Sequence, residues 1–192
     1  MNLQYEKDKL EYVEDKIREG IWLGIVETGI SEEVIDKDDY QAVRIDVNDD
    51  FREELQESIV EGIKNYYLDH LHSYDEEKHR LETLDETWKN IFDHNFDETL
   101  KDINDNLDKA SQYVSENMKD ILIDAQKEDF DITEPNDLGE YFDTKCDFDE
   151  EISSEVLGNY GLIPGYLFAQ GVCDMDKYEE ASQEIEQEEI EL

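Results

Sequence analysis

Leu100–Ile121 (LKDINDNLDKASQYVSENMKDI) is the stretch on which the fold turns. Its apolar residues Leu100, Ile103, Leu107, Ala110, Val114, Met118 and Ile121 recur at spacings of 3, 4, 3, 4, 4 and 3, which puts one side of about six helical turns into a core. The spacing predicts a long helix with a single buried seam. The same seam suits a coiled-coil homodimer. Packing within the chain is the simpler expectation, because long helices in compact domains carry this stripe too.

Working upstream, Phe51, Leu55, Ile59, Ile63, Tyr66, Tyr67 and Leu71 form a second helical stripe. Ser73 with Glu76 and Thr83 with Glu86 have capping-box spacing at two further helix starts, and Leu84, Trp88, Ile91 and Phe92 continue the second of them. Leu3, Leu10, Val13 and Ile17 predict a first helix ending at Glu19, with Gly20 as its left-handed cap. The apolar run Ile21–Val26 (IWLGIV) reads as a short strand. Val43, Ile45 and Val47, alternating with Arg44 and Asp46, read as a second one. Between them Ser31–Asp38 (SEEVIDKD) reads as a short helical turn capped by Ser31. Downstream, Glu134–Gly139 (EPNDLG) is a turn signal.

The expected fold class is therefore α+β and predominantly helical, with long amphipathic helices packed on a small two- or three-stranded sheet near residues 21–47. Residues 1–127 are expected to form the helical domain with its sheet, 128–176 an acidic C-terminal subregion packed on it, and 177–192 an acidic tail, mobile or a frayed helix. Within the subregion Val156–Cys173 (VLGNYGLIPGYLFAQGVC) carries no charge. It is expected to be a buried loop or strand rather than an exposed contact surface.

Charge bounds the function. The 192 residues include 56 Asp and Glu against 17 Lys and Arg, a net charge of −39. Leu, Ile, Val and Phe still supply 49 residues, enough for a core. The chain's own field repels phosphate, which argues against direct binding of nucleic acid or of an anionic membrane and predicts basic partners. No apolar run reaches the roughly 18 residues of a membrane helix, and Met1–Leu10 lacks the apolar centre of a secretion signal, so the expected compartment is the cytoplasm. Cys146 and Cys173 are too few for a disulfide framework, in keeping with a reducing compartment.

Motifs for chemistry are weak. His70, His72 and His79 lie near Asp75, Glu76 and Glu77, but no cysteine is close enough in sequence to complete a typical zinc set. Asp46–Glu57 (DVNDDFREELQE) matches positions 1, 3, 5 and 12 of a calcium loop, yet Phe51 stands where the sharp turn needs Gly. Asp143-Thr144-Lys145 resembles half of a nuclease carboxylate and lysine set, without the upstream Pro-Asp pair. No Gly-rich phosphate loop and no nucleophile elbow occurs. The expectation is a protein that is not an enzyme and needs neither metal nor cofactor.

The charges themselves are patterned. Asp50, Glu54, Glu57 and Glu61 fall at steps of 4, 3 and 4 opposite the apolar stripe of their helix, and Glu98, Asp102 and Asp105 do likewise on the long helix. Like charges at this spacing destabilise a helix by about 0.2–0.5 kcal/mol per pair, so stability does not explain them. Duplex DNA carries one charge per about 1.7 Å, so 39 charges correspond to roughly 66 Å of duplex.

On these features the sequence resembles the acidic DNA-mimic inhibitors carried by phages and mobile elements, of the anti-restriction and anti-CRISPR type. Those are small, mainly helical, rich in Asp, Glu and Tyr, and often end in an acidic tail such as Glu179–Leu192. The likeness rests on composition along the whole chain, including 11 tyrosines, and on no signature motif. It implies a stoichiometric inhibitor of a nucleic-acid-binding bacterial defence nuclease. Asp50, Glu54, Glu57, Glu61, Glu98, Asp102 and Asp105, with Asp147, Asp149, Glu150 and Glu151, would then occupy sites made for phosphates. Two rivals are an immunity protein against a basic nuclease toxin, which would add a hydrophobic hot spot, and a calcium- or metal-binding acidic protein. A halophilic surface is the bland reading, and 17 isoleucines speak against it.

Overall fold

The computed structural model describes residues 3–28, 30–69, 74–145 and 175–190. These form a predominantly helical α+β protein with the order α1 (Leu3–Thr28), β1 (Glu32–Asp36), β2 (Gln41–Ile45), α2 (Asp49–Asp69), α3 (Tyr74–Glu116), α4 (Met118–Lys127), α5 (Pro135–Thr144) and α6 (Met175–Ile190). The chain divides into two compact units. The first comprises Met1–Ile30 and Val47–Asp102, the second Ser31–Asp46 and Ile103–Leu192, so that α3 contributes to both.

In the first unit, Val13, Ile17, Ile21 and Ile25 follow one another every four residues and are all buried, which makes a single apolar line along α1. The helix runs straight through Gly20 and through the IWLGIV segment, correcting the expected cap and the expected strand. Packing explains both. A Cβ on Gly20 would stand 2.9 Å from Ile59 Cδ1, and one on Gly24 2.5 Å from Leu55 Cδ1. The two glycines, four apart on α1, let α2 approach closely. Helix α2 starts at a capping residue: Phe51 N–H donates to Asn48 Oδ1 at 2.8 Å. On the first part of α3, Trp88, Phe92 and Phe96 are buried, with the two phenylalanine rings 5.5 Å apart. Buried Asn95 ties α3 to α1, accepting from Arg18 Nε at 2.5 Å. Thr83 lies inside α3, so no helix begins there as its capping-box spacing suggested.

In the second unit β1 and β2 pair antiparallel, from Glu32 opposite Ile45 to Asp36 opposite Gln41. The sheet is thus built from residues 32–45. Its first strand lies in the segment read as a helical turn, where four acids hide the apolar alternation from sequence inspection. Asn104 on α3 clamps β2, accepting from Ile45 N–H at 2.8 Å and donating to Ile45 O at 3.1 Å. Each such bond contributes on the order of 1 kcal/mol. Tyr40, between the strands, donates to Asp108 Oδ1 at 2.8 Å. Burial, helped by that bond, pushes its hydroxyl up to about 12, so this tie holds below the usual tyrosine range and is lost as pH rises through about 12.

The expected seam is present: Ile103, Leu107, Ala110, Val114, Met118 and Ile121 are buried, and Leu100 is half-buried. The helix carrying it breaks at Asn117, whose Nδ2 donates back to Tyr113 O at 2.9 Å. Met118 and Ile121 therefore belong to α4. Helix α4 ends in a Schellman motif, with Phe130 N–H on Ala125 O, Asp129 N–H on Gln126 O, and Asp129 in the left-handed region at φ 65°. Pro135 opens α5 as its first residue, so the expected turn is a helix start.

Residues 175–190 differ from the loose tail expected of their composition, for they form α6, with Ala181 and Ile185 buried and α4 as their packing partner. Lys177 Nζ donates to Ser115 Oγ at 2.9 Å and to Asp39 O at 2.7 Å. Lys119 pairs with Glu184 at 2.8 Å. Ile185→Ala should accordingly cost about 2 kcal/mol, the lower end for buried isoleucines. Truncation before Met175 should cost more, as a drop in melting temperature will show. An unchanged melting temperature in both variants would return the segment to the solvent. Val156–Cys173 lies outside the described residues.

Candidate acidic binding face

Two groups of acids in the first unit differ in what they touch. Those at the contact of α2 with α3 meet cations. Arg52 reaches Asp97 at 3.0 Å and Asp93 at 3.4 Å, Gln56 adds a bond to Asp93 at 3.0 Å, and the Arg52 guanidinium lies 4.7 Å from the Phe96 ring centre. Lys64 similarly reaches Asp85 at 3.7 Å. Arg52 and Lys64 thus bridge α2 and α3, whereas Lys16 pairs with Glu19 and Arg18 with Glu14 within α1.

The ridge on α2 is the second set. Asp50, Glu54, Glu57 and Glu61 are all exposed. Of the four, only Glu61 meets a cation among the described residues, Lys64 at 4.0 Å. Asp50 sits in the first helical turn, where the helix dipole favours a negative charge. Glu54, Glu57 and Glu61 have no such local reason. The four span about 16 Å of helix axis, about 5.5 Å per charge, a wider spacing than that of the phosphates of one DNA strand, about 3.4 Å apart along the axis.

On α3, Glu98 and Asp102 are exposed in the first unit and Asp105 is exposed in the second. His94 stands 3.8 Å from Glu98 and pairs with it when protonated. Asp147, Asp149, Glu150 and Glu151 lie outside the described residues, as do His70 and His72. The calcium-loop match is recast by the fold, because from Asp49 onward its residues are helical and Phe51 and Arg52 pack inward. Lys145 of the nuclease-like step reaches Glu128 at 3.3 Å.

Sequence reasoning missed a groove between α1 and α2. It encloses about 350 Å³ and is lined by Tyr12, Lys16 and Gly20 on one side and by Ile59, Gly62 and Tyr66 on the other. The apolar stripe expected to bury α2 does so only in part. Val60 is buried, Ile59 and Ile63 are half-buried, and Tyr66 is 48% exposed. Tyr12, 42% exposed, faces it across the groove mouth with ring centres 6.1 Å apart and planes at 35°. A Cβ on Gly62 would meet nothing within 4 Å, which is why the groove stays open there. The signal available in the sequence was Gly62, an isolated glycine inside a strong helical stripe.

No protein-family model, curated protein or solved structure matches this chain. None of the helices is long and apolar enough to cross a membrane, among the described residues.

Proposed function

We propose that this chain is a stoichiometric inhibitor of a nucleic-acid-binding bacterial defence nuclease, acting in the bacterial cytoplasm by acidic DNA mimicry and without catalysis. The observation that carries the reading is the sorting of charges in the first unit. Asp93 and Asp97 share Arg52 and Asp85 meets Lys64, whereas the α2 ridge is exposed and only Glu61 of its four acids meets a cation among the described residues. A surface evolved only for solubility would intersperse both signs. A row of exposed carboxylates with so few cations beside it instead suits a groove lined with Lys and Arg, where each contact replaces one made to a phosphate.

The test is capture on immobilised protein from a bacterial lysate at low salt, followed by elution with duplex DNA. Under mimicry the captured nuclease is released by DNA, since both compete for one site. Retention of the captured protein in excess DNA would overturn the reading.

One observation favours a second reading, an immunity protein against a basic nuclease toxin. Tyr12 and Tyr66 supply an exposed aromatic pair of the kind that anchors a compact interface. Such a complex resists elution both by DNA and by moderate salt.

A further inference from the structure

We propose that the outer edge of β1 binds an extended basic peptide segment as a third, antiparallel strand, with an apolar side chain against Val34 and a Lys or Arg facing each of Glu32 and Asp36. Neither mimicry nor a nuclease partner is required, since β1 belongs to the second unit and the acidic ridge of α2 to the first. The edge itself defines the occupant.

Its backbone is open. Asp46 N–H donates to Ser31 O and Lys37 N–H to Tyr40 O, both at 2.9 Å. Hydrogen-bonded pairs alternate along an antiparallel ribbon, so Glu33 with Arg44 and Ile35 with Ala42 are of the same type. Glu32, Val34 and Asp36 therefore turn their N–H and C=O groups away from β2, and nothing among the described residues bonds them. On β2 the corresponding outward groups of Ile45 are taken by Asn104. The fold covers one edge of the ribbon at Ile45 and leaves the other open to an added strand.

Its side chains specify the chemistry. Val34 lies opposite Val43, and this apolar row runs from Val43, 2% exposed, to Val34, 41% exposed. An apolar residue on an added strand extends the row. Glu32 and Asp36 stand on the same face, two residues to either side of Val34, are exposed, and meet no cation among the described residues. Opposite charges directly across such a pair attract. A second copy of the chain is excluded by the same geometry, because pairing β1 with β1 about Val34 sets Glu32 against Asp36 twice. Acids on an edge strand guard against self-pairing. Here their placement around an exposed valine also selects a basic partner.

The probe is the fluorescein-labelled peptide Thr-Arg-Thr-Val-Thr-Arg-Thr, compared with the same peptide N-methylated at its valine, against the full chain. N-methylation keeps the charge and removes one strand donor, so a surface that merely attracts cations does not discriminate. Anisotropy should show the unmethylated peptide binding at least about tenfold more tightly. Val34→Pro deletes an outward N–H without touching a ladder bond, a change that edge strands tolerate. It should abolish the preference and leave the melting curve unchanged. Glu32→Lys with Asp36→Lys should weaken binding of the Arg peptide at least about tenfold, whereas the same charge change at exposed Glu53 and Glu86 should alter it by no more than about twofold. Should Val34→Pro lower the melting temperature, these two charge variants decide. Equal affinity for the two peptides, no binding of either, an unchanged preference in folded Val34→Pro, or equal losses in the two charge variants would each overturn the proposal.

Discussion

Replacing Asp50, Glu54, Glu57 and Glu61 together by Asn and Gln is expected to lower the salt dependence of target binding and to weaken inhibition. These four phosphate-like contacts account for a fall of about a hundredfold in the parent's affinity between roughly 50 and 200 mM salt, from a slope of about 0.9 per contact in log–log form. The variant should be weaker at low salt, and its affinity should fall less steeply over the same range. Amides keep the shape of the side chains, and Glu, Gln and Asn are all tolerated on an exposed helix face, so α2 should stay folded. Relief of like-charge repulsion at steps of three and four should even raise its stability by a few tenths of a kcal/mol. Affinity and salt slope, measured by calorimetry with the captured target, decide the matter. A neutralised variant that binds like the parent at both salt concentrations would reduce the ridge to a solubility device.

The second large effect concerns the core. Phe92 is fully buried on α3, within a turn of Trp88 and of Phe96, whose ring lies 5.5 Å away. Phe92→Ala should cost about 3–5 kcal/mol, combining lost transfer energy with the cavity left behind. Domains of ordinary stability have about 5–15 kcal/mol in all, so the variant should unfold at a much lower urea concentration. A loss below about 1 kcal/mol would mean that the α3 aromatic cluster is not packed as described. The exposed Tyr66, by contrast, should be replaceable with Ala at a cost within about half a kcal/mol.

Where periodicity was long, the fold was legible. The α3 and α4 seam and the α2 stripe ran for enough turns to leave no competing template, and Val43 and Ile45 alternated cleanly for β2. Short segments failed for physical reasons. IWLGIV is as apolar on every side as a buried strand, and only the buried Ile21 and Ile25, in step with Val13 and Ile17, reveal that it continues a helix. Gly20 looked like a stop because glycine commonly ends helices, yet here it removes a side chain that Ile59 would strike. The left-handed cap is taken by Asp129 instead. Helix α6 was hidden by its acids, although Tyr178, Ala181 and Ile185 carry helical spacing. Among the site residues, exposure of the α2 ridge followed from the stripe opposite it. Which acids are matched by cations did not, because that depends on contacts between α2 and α3 that are distant in sequence.

The clamp on Ile45 by Asn104 joins residues 59 apart, and this has a consequence for the order in which a ribosome delivers the chain. At about 5–20 residues per second, the β1–β2 ribbon is complete roughly 3–12 s before the helix that covers it is synthesised. A two-stranded ribbon is marginal alone in water, and Ile45, buried in the finished protein beside Ala42 and Val43, lacks the Asn104 clamp in that interval. Meanwhile Glu32, Glu33 and Asp36 line the nascent edge with charge, which discourages pairing with strands of neighbouring nascent chains. In this segment the acidity guards the polypeptide during its own synthesis.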